Sequence, residues 1–116
     1  MKLSVTWNIH LVSSANKMET PIAQWSRRSK HRQGILHRMA NALRNQKHKA
    51  PYRVTLTRIA KRNLDSHDNL GHAFKSICDG VCDALGIRDD SKADVVTFAY
   101  AQEHGTPAIR VEVETR

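Results

Sequence analysis

The chain has 116 residues, of which 40% are hydrophobic and 5% aromatic, so it can form one modest core of mainly aliphatic side chains. The formal net charge of +8 at pH 7 favours a polyanionic partner, either nucleic acid or an anionic membrane surface. The sequence contains no apolar run of membrane-spanning length and no signal-peptide core at its N-terminus. We therefore expect a single domain over residues 1–116, located in the cytoplasm.

In the first half of the chain, the hydrophobic pattern predicts a strand, a helix and a second strand. Leu3 to Leu11 alternate in KLSVTWNIHLV, which is typical of a strand with one buried face. After a polar loop, Pro21 is suited to the first turn of a helix, which we expect from about Ile22 to Gln46. The β-branched residues of YRVTLTRIA then predict the second strand.

The second half begins with the strongest helix signal, in LDSHDNLGHAFKSICDGVCDALGIRDDS. An apolar stripe runs from Leu70 to Leu85, and Gly86 follows where a helix commonly ends. DVVTFAYAQE and AIRVEVET predict two strands, which the turn sequence HGTP would join as an antiparallel pair. The order β-α-β-α-β-β predicts an α+β fold with two helices packed on a small mixed or antiparallel sheet.

The two cysteines, Cys78 and Cys82, are one helical turn apart. This spacing is poor for a disulfide within one helix, and without a second cysteine pair it excludes a zinc ribbon. We expect both to be reduced thiols that pack in the core.

Charge is distributed unevenly along the chain. Residues 20–64 contain twelve Lys or Arg and no Asp or Glu, whereas residues 65–116 contain ten Asp or Glu and five Lys or Arg. Such asymmetry suggests a phosphate-facing surface joined to an acidic site. The alternative is ordinary charge balance on solvated helix faces.

The polar side of the second helix carries Asp68, His72, Lys75 and Asp79, whose spacing of 4, 3 and 4 residues places them on one face. Carboxylates from several chain segments suit Mg²⁺ or Mn²⁺, which can activate a water and polarise a phosphate. A nearby lysine can stabilise charge that develops on that phosphate. Each residue also has a purely structural interpretation, as a helix cap or as half of an i,i+4 ion pair.

Residues 65–90 resemble the RusA family of endodeoxyribonucleases, which resolve Holliday junctions and are common in phages and prophages. The similarity rests on Asp68-Asn69-Leu70, on Lys75 with Asp79, on Gly86-Ile87 and on Asp89-Asp90. The flanking segments ANKMETPIAQWSRRSKHRQ and DVVTFAYAQEHGTPAIRVEVE are also similar to phage members of the family. The resemblance thus covers most of the chain.

The resemblance implies a homodimeric nuclease that uses Mg²⁺, with Mn²⁺ also possible, to place symmetric nicks in branched DNA within a bacterial cell or a phage-infected host. It implies neither a small-molecule cofactor nor a membrane partner. Ser66 stands where the family has its first Asp, so Asp65 would take that place through one extra residue, His67. The implied catalytic residues are Asp65, Asp68, Lys75 and Asp90, and the implied metal ligands are Asp65, Asp68, Asp89 and Asp90.

The residues expected to contact DNA are cationic or amide side chains that precede the acidic segment. They are Asn16, Lys17, Arg27, Arg28, Lys30, Arg32, Lys61 and Arg62. Two alternatives remain open: a non-catalytic basic nucleic-acid-binding module, which would not need the aspartates, and an interaction protein whose acidic helix binds a partner.

Overall fold

A computed structural model describes residues 1–11, 20–64, 67–88 and 94–115, with the backbone alone for residues 67–69. The described residues form four strands and three helices. Their bounds are Lys2–Trp7 (β1), Pro21–Leu43 (α1), Tyr52–Ala60 (β2), His67–Ala73 (α2), Lys75–Leu85 (α3), Val96–His104 (β3) and Ala108–Thr115 (β4).

Helix α1 begins where the sequence predicted. The Thr20 hydroxyl oxygen accepts a hydrogen bond from the Ala23 backbone N–H at 3.1 Å, and Pro21 occupies the first turn. The helix ends at Leu43 rather than near Gln46, and Asn45 adopts a left-handed backbone with φ of 64°. Asn is among the residues that tolerate this conformation, so it can redirect the chain toward β2.

The four strands form one mixed sheet in the order β1-β4-β2-β3. Strand β4 is antiparallel to both β1 and β2, whereas β3 is parallel to β2. The predicted α+β fold with helices on a small sheet is therefore confirmed.

The predicted antiparallel pairing of the last two strands is wrong, because β2 lies between β3 and β4. The turn after β3 crosses the end of β2, where the Gly105 N–H donates to the Ala60 carbonyl oxygen at 3.2 Å. Ile109, Val111 and Val113 of β4 have no exposed surface, which suits an interior strand better than the edge that a terminal hairpin would occupy. Turn residues identified the reversal of direction but not the strand that fills the gap.

The second predicted helix is present as two consecutive helices, α2 and α3, that meet at Phe74. Phe74 has φ of −86° and ψ of 0°, while backbone hydrogen bonds from its N–H to Leu70 and from Cys78 to its carbonyl continue the helical pattern. Its ring is fully buried and stacks on Tyr100 with 5.9 Å between ring centroids. Phe74 thereby fixes the helical segment against β3.

The core lies on one face of the sheet, beneath α1 and α3. Strand residues at every second position, such as Val54 and Leu56, contact helix residues such as Ile35 and Ile77 in one cluster. Cys78 and Cys82 are buried, as expected of cysteines that pack in the core, and they are not joined in a disulfide. None of the helices in the described residues is long and apolar enough to span a membrane.

Candidate nucleic-acid interface

Two glycines allow α1 to pack closely against its neighbours. A Cβ atom on Gly80 of α3 would overlap the Arg32 carbonyl oxygen and the Ile35 side chain of α1. A Cβ on Gly34 would likewise overlap the Trp7 ring of β1. A glycine in a helix interior costs about 1 kcal/mol relative to alanine, and here the cost is offset by close packing of the helices. This approach brings the cationic side of α1 next to the polar side of α3.

The best-defined contact across this helix pair is an ion pair between Arg32 and Asp83. The guanidinium Nε donates to one carboxylate oxygen at 2.6 Å and a terminal nitrogen donates to the other at 2.9 Å. Hydrogen bonding to Arg32 lowers the pKa of Asp83 below the usual carboxyl range, and the same bond raises the pKa of Arg32. Both side chains keep solvent contact, so the pair fixes geometry more than it adds stability.

A second ion pair lies one helical turn away along α3. The Lys75 ammonium is 3.3 Å from a carboxylate oxygen of Asp79, at the i,i+4 spacing predicted from the sequence. The Lys75 side chain is largely exposed, whereas that of Asp79 is about one-third exposed.

A cleft between α1 and α3 is lined by these ion pairs and by further polar side chains; we call it the α1–α3 cleft. Its larger part is a cavity of about 300 Å³ lined by Trp25, Arg28, Ser29, Arg32, Lys75, Ser76 and Asp79. Its smaller part, of about 160 Å³, is lined by Arg32, Lys75, Asp79, Cys82, Asp83, Ile87 and Arg88. Arg32, Lys75 and Asp79 belong to both parts, so the two cavities adjoin each other.

The cleft brings together three residues to which the sequence assigned two different roles. Arg28 and Arg32 were expected to bind DNA and Lys75 to assist catalysis, and all three line the larger cavity. Arg27 and Lys30 lie on α1 but do not line it, and Lys30 is exposed. Of the four cations of α1 that were predicted to bind DNA, Arg28 and Arg32 thus line the cleft, and the prediction for Arg27 and Lys30 stays open.

Lys61 and Arg62 are exposed just beyond the end of β2. Asn16, Lys17, Asp65, Asp89 and Asp90 lie outside the described residues. Asp68 lies in α2, within the part described by its backbone alone.

Arg58 holds the chain at this end of β2. The alternation of the strand places it on the face of Val54 and Leu56, but no pattern predicted what it binds. The residue is 4% exposed, and its guanidinium donates to the Leu11 and Arg62 carbonyl oxygens, each at 2.7 Å. Desolvation by burial lowers its pKa from the usual arginine value. On the neighbouring strand, the Gln102 amide oxygen accepts a hydrogen bond from the Leu64 N–H at 2.8 Å. The two side chains anchor the segments that lead toward residues 12 and 65.

The acids that line the cleft do not form a metal site among the described residues. Asp79 is paired with Lys75 and Asp83 with Arg32, so cations already neutralise both carboxylates. Within the described ranges, no group of three or more His, Cys, Asp or Glu side chains could hold a metal ion. The predicted ligand positions 65, 68, 89 and 90 all fall where side chains are not described.

The described residues that flank two of the predicted ligands have defined surroundings. Leu64, which precedes Asp65, donates its N–H to the Gln102 amide oxygen of β3 at 2.8 Å. Ile87, which precedes Asp89 by two residues, lines the smaller part of the cleft and also a separate cavity with Tyr52.

Sequence reasoning missed Trp25, Gly80, Asp83 and Arg88 as components of the cleft. Gly80 carried a usable signal, because a glycine inside an otherwise strong helix commonly marks close packing. Asp83 continues the four-residue spacing from Asp79, but its partner Arg32 is 51 residues away in the chain. No local pattern could have identified that pairing.

Comparisons with known proteins leave the family of the chain open: no protein-family model matches it, and no curated protein gives a significant match.

Proposed function

We propose that the chain is a Mg²⁺-dependent endodeoxyribonuclease that nicks branched DNA such as Holliday junctions, acting in the cytoplasm of a bacterial cell or a phage-infected host. The observation that carries the proposal is that Arg28, Arg32 and Lys75 line one cavity between α1 and α3. The resemblance of residues 65–90 to RusA nucleases adds the metal chemistry that this cavity does not supply by itself.

Phosphate binding is the part of the proposal that geometry supports best. Among the described residues, the lining of the cleft includes four cations, Arg28, Arg32, Lys75 and Arg88, and two acids, Asp79 and Asp83. The guanidinium of Arg32 is held in place by Asp83, so its remaining N–H groups have a defined direction. A cationic concavity of this kind concentrates a polyanion and makes its affinity salt-dependent.

Cleavage requires the carboxylates at positions 65, 68, 89 and 90, which would hold Mg²⁺ or Mn²⁺. When bound, such an ion supplies Lewis acidity toward phosphate oxygens. Lys75 would act beside it by stabilising negative charge on the phosphate as the bond to oxygen breaks. Its pairing with Asp79 directs the ammonium toward the cleft, although the side chain stays largely exposed.

A homodimer is part of the same proposal. Two copies related by a twofold axis would place two equivalent clefts on a junction that itself has approximate twofold symmetry, which accounts for paired nicks.

A non-catalytic nucleic-acid-binding module is the second candidate. It is favoured by the pairing of both cleft acids with cations, since this arrangement serves binding without any metal. It predicts that the aspartates outside the cleft have no role.

A nicking assay distinguishes the two candidates. The protein is incubated with a synthetic four-way junction and with a matched linear duplex, in Mg²⁺, in Mn²⁺ and in EDTA. We expect metal-dependent nicking of the junction alone. Binding without nicking in either ion would refute the nuclease and leave the binding module.

The site assignment is tested with Asp68→Asn and a matched control, Asp94→Asn. Both changes remove one negative charge, but Asp94 is exposed and precedes β3, at the end of the sheet remote from Leu64. We expect D68N to lose nicking while it binds the junction as tightly as the wild type or more tightly, because a charge that repels phosphate is removed. D94N should nick normally. Undiminished nicking by D68N would remove Asp68 from the site.

A further inference from the structure

Trp25 is exposed at the rim of the α1–α3 cleft. Its relative exposure is 71%, and with Ile22 at 79% it is one of two large hydrophobic residues that are exposed among the described residues. Trp25 lines the larger cavity together with Arg28 and Arg32. An exposed indole next to phosphate-binding cations has the components of a nucleotide site, namely a flat apolar surface for a base and charges for its phosphates.

The second tryptophan of the chain, Trp7, contributes to the packing of the fold. Trp7 packs against the core, rests on Gly34, and carries the Arg38 guanidinium 4.2 Å above its ring centroid. Trp25 is not among the residues that form or contact the core cluster. The Trp25 side chain is therefore not part of the packing that builds the fold. A ligand that covers its ring would bury apolar surface that water now contacts.

Charge determines which kind of ligand fits this surface. Residues 20–64 contain twelve Lys or Arg and no Asp or Glu, so the whole of α1 presents cations without acids. In a twofold contact through this face, each copy would place its cationic helix against the same helix of the other, which is unfavourable. A polyanion with flat apolar groups, namely a nucleic acid with accessible bases, is complementary to the same surface.

We propose that Trp25 stacks on a nucleobase exposed at the branch point of the DNA, while cations of the α1–α3 cleft hold the adjoining phosphates. In a continuous duplex both faces of each base are covered, and exposing one costs unstacking energy. At a branch or a flap, a base face is exposed before the protein binds, so this unstacking cost does not arise. Stacking on Trp25 therefore favours branched over linear DNA, which makes Trp25 the residue that determines substrate specificity in the proposed function on which this inference rests.

The test measures binding in EDTA, so that cleavage cannot interfere. Fluorescence anisotropy gives the affinity for a four-way junction, a duplex with a single-stranded flap and a linear duplex of the same length, at one salt concentration. The variants are Trp25→Ala, Trp25→Phe and the control Ile22→Ala, which removes the neighbouring exposed hydrophobic residue. Loss of one stacked base is expected to weaken W25A binding to the junction and the flap by roughly tenfold. Binding of W25A to the linear duplex should change less than about twofold.

W25F and I22A should retain the wild-type preference for branched DNA, since phenylalanine preserves a stacking face and Ile22 offers none. Tryptophan emission gives an independent readout. We expect flap DNA to quench the wild-type protein but not W25F, whose remaining indole is Trp7.

Equal weakening of W25A toward all three DNAs would overturn stacking at the branch, as would an unchanged preference for branched DNA. A W25A variant that loses only self-association, measured by sedimentation, would assign the ring to a contact between copies and overturn the proposal. Selective binding of branched DNA without nicking in Mg²⁺ would support the role of Trp25 and refute only the nuclease. Failure of the wild type to bind any DNA would refute both.

Discussion

Replacing Gly80 with alanine tests whether the α1–α3 cleft depends on the close packing of two helices. The new Cβ would overlap a backbone oxygen of Arg32 and the buried Ile35 side chain, so α1 must move away from α3. Overpacking of this kind costs about 1–3 kcal/mol in free energy of unfolding. Alanine also has the higher helix propensity, which contributes about 1 kcal/mol in the opposite direction.

Gly71→Ala is the matched control, because it makes the same change inside α2. There the nearest atom to the new Cβ is Tyr100 Cε2 at 4.0 Å, an ordinary contact, so G71A keeps the propensity gain without the overlap. The difference between the two variants therefore isolates the packing cost of about 1–3 kcal/mol. For a domain of this size we expect G80A to melt roughly 4–12 °C below G71A.

Thermal and urea unfolding followed by circular dichroism measure both variants. If G80A is as stable as G71A, the two helices are not packed as described, and the reasoning that builds the cleft from Gly80 fails. The same helix displacement would separate Arg32 from Asp83, so G80A should also bind junction DNA more weakly than G71A. Wild-type affinity in a destabilised G80A would show that DNA binding does not depend on the cleft.

Three further predictions concern charged residues. The pKa of Asp83 is lowered in the folded state. Its ion pair therefore stabilises the protein fully at pH values above 3.8, the ordinary pKa of an aspartate, and this stabilisation is lost as the pH falls through the folded pKa. The difference in unfolding free energy between wild type and Asp83→Asn should be a few tenths to about 1 kcal/mol at pH 7 and shrink below about pH 4; a constant difference would contradict the assignment. Arg58→Met leaves two carbonyl oxygens without their buried donor and should cost about 2–4 kcal/mol in urea unfolding, whereas Met at the exposed Arg53 of the same strand should cost less than about 0.5 kcal/mol. Arg28→Gln should reduce the slope of log affinity against log salt for DNA by about 0.9, and the distant Lys2→Gln should leave it unchanged, so equal slopes for the two variants would place Arg28 outside the interface.

Local patterns were sufficient to predict most of the secondary structure. Strand β2 has the bounds Tyr52–Ala60 that its β-branched residues predicted, Pro21 starts α1, and Gly86 ends α3 with φ of 74°. These features depend on steric preferences within a few residues of the chain, which the sequence displays directly. The i,i+4 pair of Lys75 and Asp79 is local in the same sense.

Strand neighbours and contacts between helices could not be predicted in this way. HGTP marks a reversal, but its chemistry does not determine whether the strands it joins are adjacent or separated by β2. The pairing of Arg32 with Asp83 joins residues 51 positions apart. Strand alternation places Arg58 on the face of Val54 and Leu56, but it cannot identify the two carbonyl oxygens that bind its guanidinium.

The sequence by itself determined the separation of charge, because a segment of twelve cations without an acid remains cationic in any fold. It also determined which residues can form helices and strands, through preferences that act over single turns. Only the tertiary structure decided that Trp25, Arg28, Arg32 and Lys75 share one cavity. The physical reason is that this arrangement depends on how closely α1 approaches α3, which is set by the missing side chain of Gly80 and by packing on a common sheet.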